Sequence, residues 1–378
     1  MTSKRFLPPP PKFPAQLAPP PVNTSTKPPA PSFAPEATYD SASESECIRC
    51  RDYTEIDAHA SAFPRHTVAS IHQLSWDLTS PFSALIDKAR AITFWLHLNI
   101  TYDAHAFLTR NVKPSTPEST LSTGMAVCEG YAGLFAALAL AAGIECIVIN
   151  GHGKGFGYDP PPLGQPLPAY HSVHAWNAIR LESGEWKLVD SCWAGGALDP
   201  SGVFNRRFDA FHFVATNEEF GRKHFPDPGE PWKQFVGQEE VLTWEEYIGT
   251  KEDLPQMTGS FGEGEYAVHL LWPKTRVIEP GRTTFYLKRK CEHWVEREGE
   301  GYVPVMMGSG WMPMEEDVTN GGWRADGLEV MPGEKVMIAL VKTVGGRDAR
   351  GLGTQGYVNK MGREEMTFEV LVQWEVEG

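Results

Sequence analysis

From Ala126 to Ala142 the sequence runs through Ala, Leu, Gly, Tyr and Phe with a single charge, Glu129, at its start. A helix that is apolar on every side cannot lie on a surface and has to be enclosed by other elements. Gly143 supplies its stop. The apolar stretch from Tyr131 to Ile149 is broken by Gly143 and Glu145, so it reads as a buried helix followed by a strand rather than as a bilayer span of about 20 residues. The chain is therefore expected to fold as a globular core around this one helix.

The flanking pattern supplies the partners. Apolar residues recur at Phe82, Leu85, Ile86, Ala89, Ile92 and Leu96, a helical stripe, with Ser80 as N-cap and Pro81 at the first helical position. Residues 103–122 are polar with two prolines and read as a loop. Strands are expected at Glu145–Asn150, Val173–Leu181 and Trp186–Cys192, the last two flanking the turn Glu182-Ser183-Gly184-Glu185. Gly151–Tyr170 is a long loop dense in Gly and Pro, suited to a lid over a cleft. Helical character returns at Glu218–His224 and Trp244–Ile248. From Gly259 onward short β-rich runs follow at Tyr266–Trp272, Thr284–Lys288, Tyr302–Met307, Lys335–Val344 and Met366–Trp374. This spacing predicts a separate, Ig-like antiparallel β-sandwich over 259–378 with no catalytic residue. The fold class is α+β, with the mixed domain over 47–250.

The first 46 residues differ in kind. Twelve of the 31 prolines lie within the first 35 positions. Such a stretch lacks backbone donors and large apolar groups, so it is expected to be a disordered tail leaning to polyproline II. Arg5-Phe6-Leu7-Pro8-Pro9-Pro10-Pro11 has the basic residue and proline spacing that SH3 domains read. With 34 basic against 48 acidic residues the net charge is −14, which disfavours nucleic acid and anionic lipid as partners. No signal-peptide core precedes the prolines, and six scattered cysteines suit a reducing compartment. A cytoplasmic protein with no membrane insertion is expected.

Cys128 opens the buried helix in Val-Cys-Glu-Gly-Tyr, where the helix dipole favours thiolate and the Cys128 backbone N–H can help hold an oxyanion. His174 opens a strand in His-Ala-Trp-Asn, and Asp190 closes the next in Trp-Lys-Leu-Val-Asp. A nucleophile, a base and a carboxylate that fixes the imidazole tautomer are what acyl transfer needs. One obstacle is geometric. A regular hairpin centred on Ser183-Gly184 sets Asp190 opposite Asn177, so a bulge or a different turn is needed to reach His174. Cys146 and Cys192 read as packing residues, and His171 is a rival base three residues from His174. Cys47-Ile48-Arg49-Cys50 offers only two of the four ligands that zinc requires, and His59 and His66 are poorly spaced to complete it. No metal site and no cofactor are expected.

These motifs, together with Ala89-Arg90-Ala91-Ile92 and Asn99-Ile100-Thr101-Tyr102-Asp103, resemble the transglutaminase-like core of the papain-like cysteine enzymes. Thr216-Asn217-Glu218-Glu219-Phe220 and His224-Phe225-Pro226 resemble the kyphoscoliosis-peptidase branch, which includes fungal cytokinesis proteins. The resemblance covers roughly residues 55–240. It implies Cys128 as nucleophile, His174 as base and Asp190 as orienting acid, and it prefers His174 to His171 through the Trp-Asn context. Tyr102 is the candidate second oxyanion donor by resemblance, with Trp95 behind it. The function so implied is a cysteine peptidase or transglutaminase-like enzyme acting on protein Gln or peptide carbonyls. The alternative is a non-catalytic cytoskeletal or cytokinesis scaffold that uses the same fold to bind protein, and the branch implies association with the cytoskeleton or the division site.

Overall fold

The computed structural model describes residues 47–378 except 160, 162–164, 230–232, 237–240, 250–253, 296–298 and 309. The Pro-rich stretch 1–46, with its Arg5–Pro11 motif, lies outside the described residues.

The first half opens with α1 (Thr54–Ser61), α2 (Ile71–Thr79) and α3 (Leu85–Asn99). Then come β1 (Thr101–Tyr102), α4 (Ala104–Thr109), α5 (Pro117–Thr123), β2 (Met125–Ala126) and α6 (Cys128–Ala141). The enclosed helix is α6: Tyr131, Leu134, Phe135, Leu138 and Ala139 are all buried, and α2, α3 and a sheet surround it. Buried Ser75 of α2 donates to the Leu138 carbonyl at 2.8 Å. The sheet consists of β3 (Cys146–Gly153), β4 (His174–Arg180) and β5 (Trp186–Val189). It continues past α7 (Ser191–Gly195), β6 (Ala197–Leu198), β7 (Phe204–Asn205), α8 (Phe211–Val214) and α9 (Asn217–Gly221) to β8 (His224–Pro226). The strand order is β5-β4-β3-β8, antiparallel throughout.

Two sequence expectations for this half need correction. Ser80-Pro81 does not start a helix: Ser80 closes α2, its N–H donating to the Trp76 carbonyl at 2.9 Å. Helix α2 has its own cap, Ser70, which accepts from Gln73 N–H, and the apolar stripe becomes helical only from Leu85. Residues 103–122 are not plain loop. Asp103 caps α4, and Thr116 and Ser119 form a capping box ahead of α5 with Pro117 in its first turn.

The second half follows α10 (Trp244–Gly249). Its strands are β9 (Gln256–Met257), β10 (Val277–Ile278), β11 (Gly281–Leu287), β12 (Pro304–Met307), β13 (Trp311–Pro313), β14 (Glu315–Asp317), β15 (Gly322–Val330), β16 (Lys335–Val344), β17 (Arg347–Asp348) and β18 (Met366–Val376). Helix α11 (Gly259–Glu263) and helix α12 (Gly353–Lys360) interrupt them. One sheet runs β10-β18-β16-β12-β13, with β17 on β16 and β9 on β18; the other is β11-β15-β14. All pairings are antiparallel except β10 with β18. Phe285, Ala325 and Val330 of the small sheet share one core with Ile338, Val372 and Trp374 of the large one, and Phe285 meets Trp374 edge-on at 5.1 Å. Tyr266–Trp272 is no strand: a 3-10 turn at Val268–Leu270 lies between isolated bridges. Among the described residues no helix is long and apolar enough to cross a membrane.

Candidate active site

Val127 is extended (φ −92°, ψ −176°) and Cys128 is the first residue of α6. At that position a backbone N–H has no intrahelical acceptor. The approach to the helix start is fixed by β1 and β2, which pair Tyr102 with Ala126. Gly130 allows this close packing, because a Cβ there would stand 2.6 Å from the Ala126 Cβ. The buried Cys128 Sγ lies 4.0 Å from the carbonyl of Val173, the residue ahead of His174.

His174 Nε2–H donates to Asp190 Oδ2 at 2.6 Å. That leaves Nδ1 as the ring nitrogen available to the Cys128 thiol, which interacts with the imidazole. The obstacle of register disappears in the structure without a bulge in the ladder. The turn is three residues, Glu182-Ser183-Gly184, with Gly184 at φ 85° and the Leu181 N–H donating to the Glu185 carbonyl. Asn177 therefore pairs with Val189, one residue off the expected register. Continued by one step, Asp190 falls opposite Trp176, on the same face as His174.

Asp190 is fully buried and spends its carboxylate completely. Oδ1 accepts the backbone N–H groups of Cys192 and Trp193, each at 2.9 Å, and so caps α7. Oδ2 accepts from His174 and, at 3.0 Å, from His224 Nε2. Burial opposes its charge, but His174 and the hydrogen bonds from both rings outweigh burial and hold the carboxyl well below the usual range. The His174 ring is also opposed by burial, yet the charge and hydrogen bond of Asp190, with the Cys128 thiol, push it up to about 10. His224 goes the other way. Burial dominates over the help of Asp190, and the ring is pushed down to about 4. Its Nδ1 faces the Phe220 carbonyl at 3.0 Å, so a neutral His224 can donate to only one of its two acceptors. We assign that proton to Nε2, where the carboxylate makes the stronger bond.

Trp193 stacks on the imidazole of His174 with centroids 4.4 Å apart, and Trp176 stacks at 5.9 Å. The alternating glycines make room for this stack. A Cβ on Gly153 would reach within 2.7 Å of Trp193 Cη2, and one on Gly155 within 2.5 Å of Trp193 Cζ2. Gly151 admits β8, since a Cβ there would be 2.1 Å from the Phe225 carbonyl oxygen. The described part of the following loop leans on α10, where Trp244 Nε1–H donates to the Pro168 carbonyl at 2.8 Å.

Tyr102 packs against the core cluster that holds Cys128. Burial, with the charges of Cys192 and Cys128, holds its phenol protonated, so its O–H is a donor. Trp95 is fully buried and its Nε1–H is committed to the Phe63 carbonyl at 2.6 Å, which removes it as an oxyanion donor. His171 is exposed. Burial pushes the Cys146 thiol up to about 12. Cys192 sits in α7 rather than in a strand, and burial and then Asp190 raise its thiol. His224 was not foreseen as a site residue; its only sequence signal is His-Phe-Pro, which becomes informative once β8 is seen to cross β3. Near Cys47 and Cys50 of the C-x-x-C stand Cys291 and His293 from the other half of the chain, the four ligand atoms all within 4.8 Å of one another.

A thiol at a helix start, a buried imidazole stacked with two indoles and a fully bonded carboxylate behind it are the parts of a nucleophilic acyl-transfer site.

Residues 72–191 match the family model of the transglutaminase-like superfamily. The chain is 30% identical over 245 residues to a kyphoscoliosis peptidase of Mus musculus, covering 64% of this chain and 34% of that protein. It is 31% identical over 211 residues to the Lim and transglutaminase domain protein ltd-1 of Caenorhabditis elegans, covering 52% and 28%. A crystal structure of a TGase is 17% identical with a TM-score of 0.23, covering 37% of this chain and 32% of that one. The chain spans about a third of the length of the kyphoscoliosis peptidases it matches.

Proposed function

We propose that this chain, a member of the transglutaminase-like superfamily on its kyphoscoliosis-peptidase branch, is a cysteine-dependent acyl-transfer enzyme acting on protein Gln or peptide carbonyls. The observation that carries this reading is the 2.6 Å bond from His174 Nε2 to Asp190 Oδ2, which reserves Nδ1 for Cys128. In the first half-reaction the thiol proton rests on Nδ1 of His174 and the Cys128 sulfur attacks the carbonyl carbon. The tetrahedral oxyanion is held by the Cys128 N–H and the Tyr102 O–H. Collapse breaks the C–N bond, and ammonia or an amine leaves with the proton from His174. In the second half-reaction water or an amine, deprotonated by His174, attacks the thioester and releases Cys128. The test is turnover of glutamine-containing peptides, read as ammonia release and as incorporation of a labelled amine, with Cys128→Ala as the control. Cys128-dependent release or incorporation supports the enzyme. Folded protein without either, across a diverse peptide set, favours the scaffold reading.

A further inference from the structure

Outside the active site, three thiols and an imidazole converge from the start of the described chain and from its second half. The Sγ atoms of Cys47, Cys50 and Cys291 and a ring nitrogen of His293 all lie within 4.8 Å of one another. Cys47 Sγ and Cys291 Sγ are 3.6 Å apart, and Cys291 Sγ is 3.9 Å from His293 Nδ1. Tetrahedral zinc, with bonds of about 2.3 Å to sulfur and about 2.0 Å to nitrogen, sets its ligand atoms roughly 3.6–3.8 Å apart. The sulfurs are too far apart for a disulfide, whose bond is about 2.05 Å, and all three cysteines are unpaired. Packing explains the buried Cys291, but it does not explain why an exposed imidazole turns into a thiol cluster.

We propose that Cys47, Cys50, Cys291 and His293 bind one zinc ion, which ties the entry of the transglutaminase-like domain to the β-sandwich. Soft sulfur donors with one imidazole select zinc over calcium or magnesium. Each ligand pair rides on a hydrogen-bonded turn. The Arg51 N–H donates to the Cys47 carbonyl at 3.1 Å, and the Trp294 N–H to the Cys291 carbonyl at 3.2 Å. The turns are held from outside as well. Arg51 grips Asp87 of α3 with two bonds of 2.7 and 2.6 Å, and Lys288 Nζ donates to the Glu292 carbonyl at 2.5 Å. Three thiolates around Zn²⁺ leave one net negative charge, and the Arg49 guanidinium stands close enough to Cys47 and Cys291 to feel them. Loading releases three thiol protons to solvent. The clip joins residues 244 positions apart.

The test uses the full chain, purified under reducing conditions without chelator. Expected are about one zinc per chain by elemental mass spectrometry and, after exchange, a tetrahedral, thiolate-rich cobalt spectrum. Cys291→Ser and His293→Ala should each weaken cobalt binding roughly tenfold or more, while Cys146→Ser leaves it intact. Should the single variants misfold, cobalt titration of the wild-type chain still decides. The proposal is overturned if folded wild-type protein with all six thiols reduced holds no zinc and gives only an octahedral cobalt spectrum, or if peptide mapping finds a disulfide among Cys47, Cys50 and Cys291. None of these readouts depends on Cys128, His174 or Asp190, so the outcome is independent of catalysis.

Discussion

Trp193 lies almost flat on His174, the planes 19° from parallel and the centroids 4.4 Å apart. The residue three places after Asp190 thus covers one face of the His174 ring. Asp190 takes the Trp193 backbone N–H, so one carboxylate positions both the imidazole and the indole that covers it.

Removing that cover should slow chemistry more than it weakens binding. Trp193→Ala is expected to lower kcat on the order of ten- to a hundredfold, within the range that a well-held general base contributes, with a smaller effect for Trp193→Phe. Steady-state kinetics separate this from a binding defect, which would raise KM alone.

Gly155→Ala should act through the same indole. The added Cβ would stand 2.5 Å from Trp193 Cζ2, and overpacking of this kind costs about 1–3 kcal/mol. In a Trp193→Ala background the penalty should largely vanish. Urea midpoints of the four proteins in the cycle measure the coupling, and a penalty that persists without Trp193 would place the strain elsewhere.

The buried cluster gives stability a pH profile with two limbs. Folded His174, raised from the usual 6.5 to about 10, contributes fully below about 6.5 and loses that contribution as pH rises toward 10. Folded His224, lowered from 6.5 to about 4, stays neutral while the unfolded ring takes up a proton, so stability falls as pH drops from about 6.5 to 4. Asp190, held below its usual 3.8, adds a further loss as pH falls below that value. In His224→Gln, which keeps a donor for Asp190 but cannot titrate, the limb between 6.5 and 4 should flatten relative to wild type. Unfolding midpoints across pH 4 to 10 check this.

What the sequence made legible was local. The helix around Leu134 and Leu138 is apolar on all sides, and Cys128 stands at its first residue; both follow from order along the chain. The link from His174 to Asp190 depends on the parity of a hairpin, and a turn of three residues instead of two moves Asp190 to the face of His174. Nothing in Glu182-Ser183-Gly184-Glu185 dictates which turn forms until Val189 finds Asn177. Ser80-Pro81 imitates a helix start, but the stronger cap at Ser70 had already placed a helix ahead of it. His224, Cys291 and His293 acquire meaning only through tertiary contacts, across β3 in the first case and across the two halves of the chain in the others.

The central claim is that His174, held by Asp190, makes Cys128 the reactive thiol of this chain. The most direct measurement is limited alkylation of the folded protein with iodoacetamide at neutral pH, followed by peptide mapping, in wild type and in His174→Gln. Cys128 should be modified well ahead of buried Cys146 and Cys192 in wild type, and its rate should fall at least about tenfold in His174→Gln. Modification of Cys128 no faster than that of Cys146, or a rate indifferent to His174, would contradict the claim.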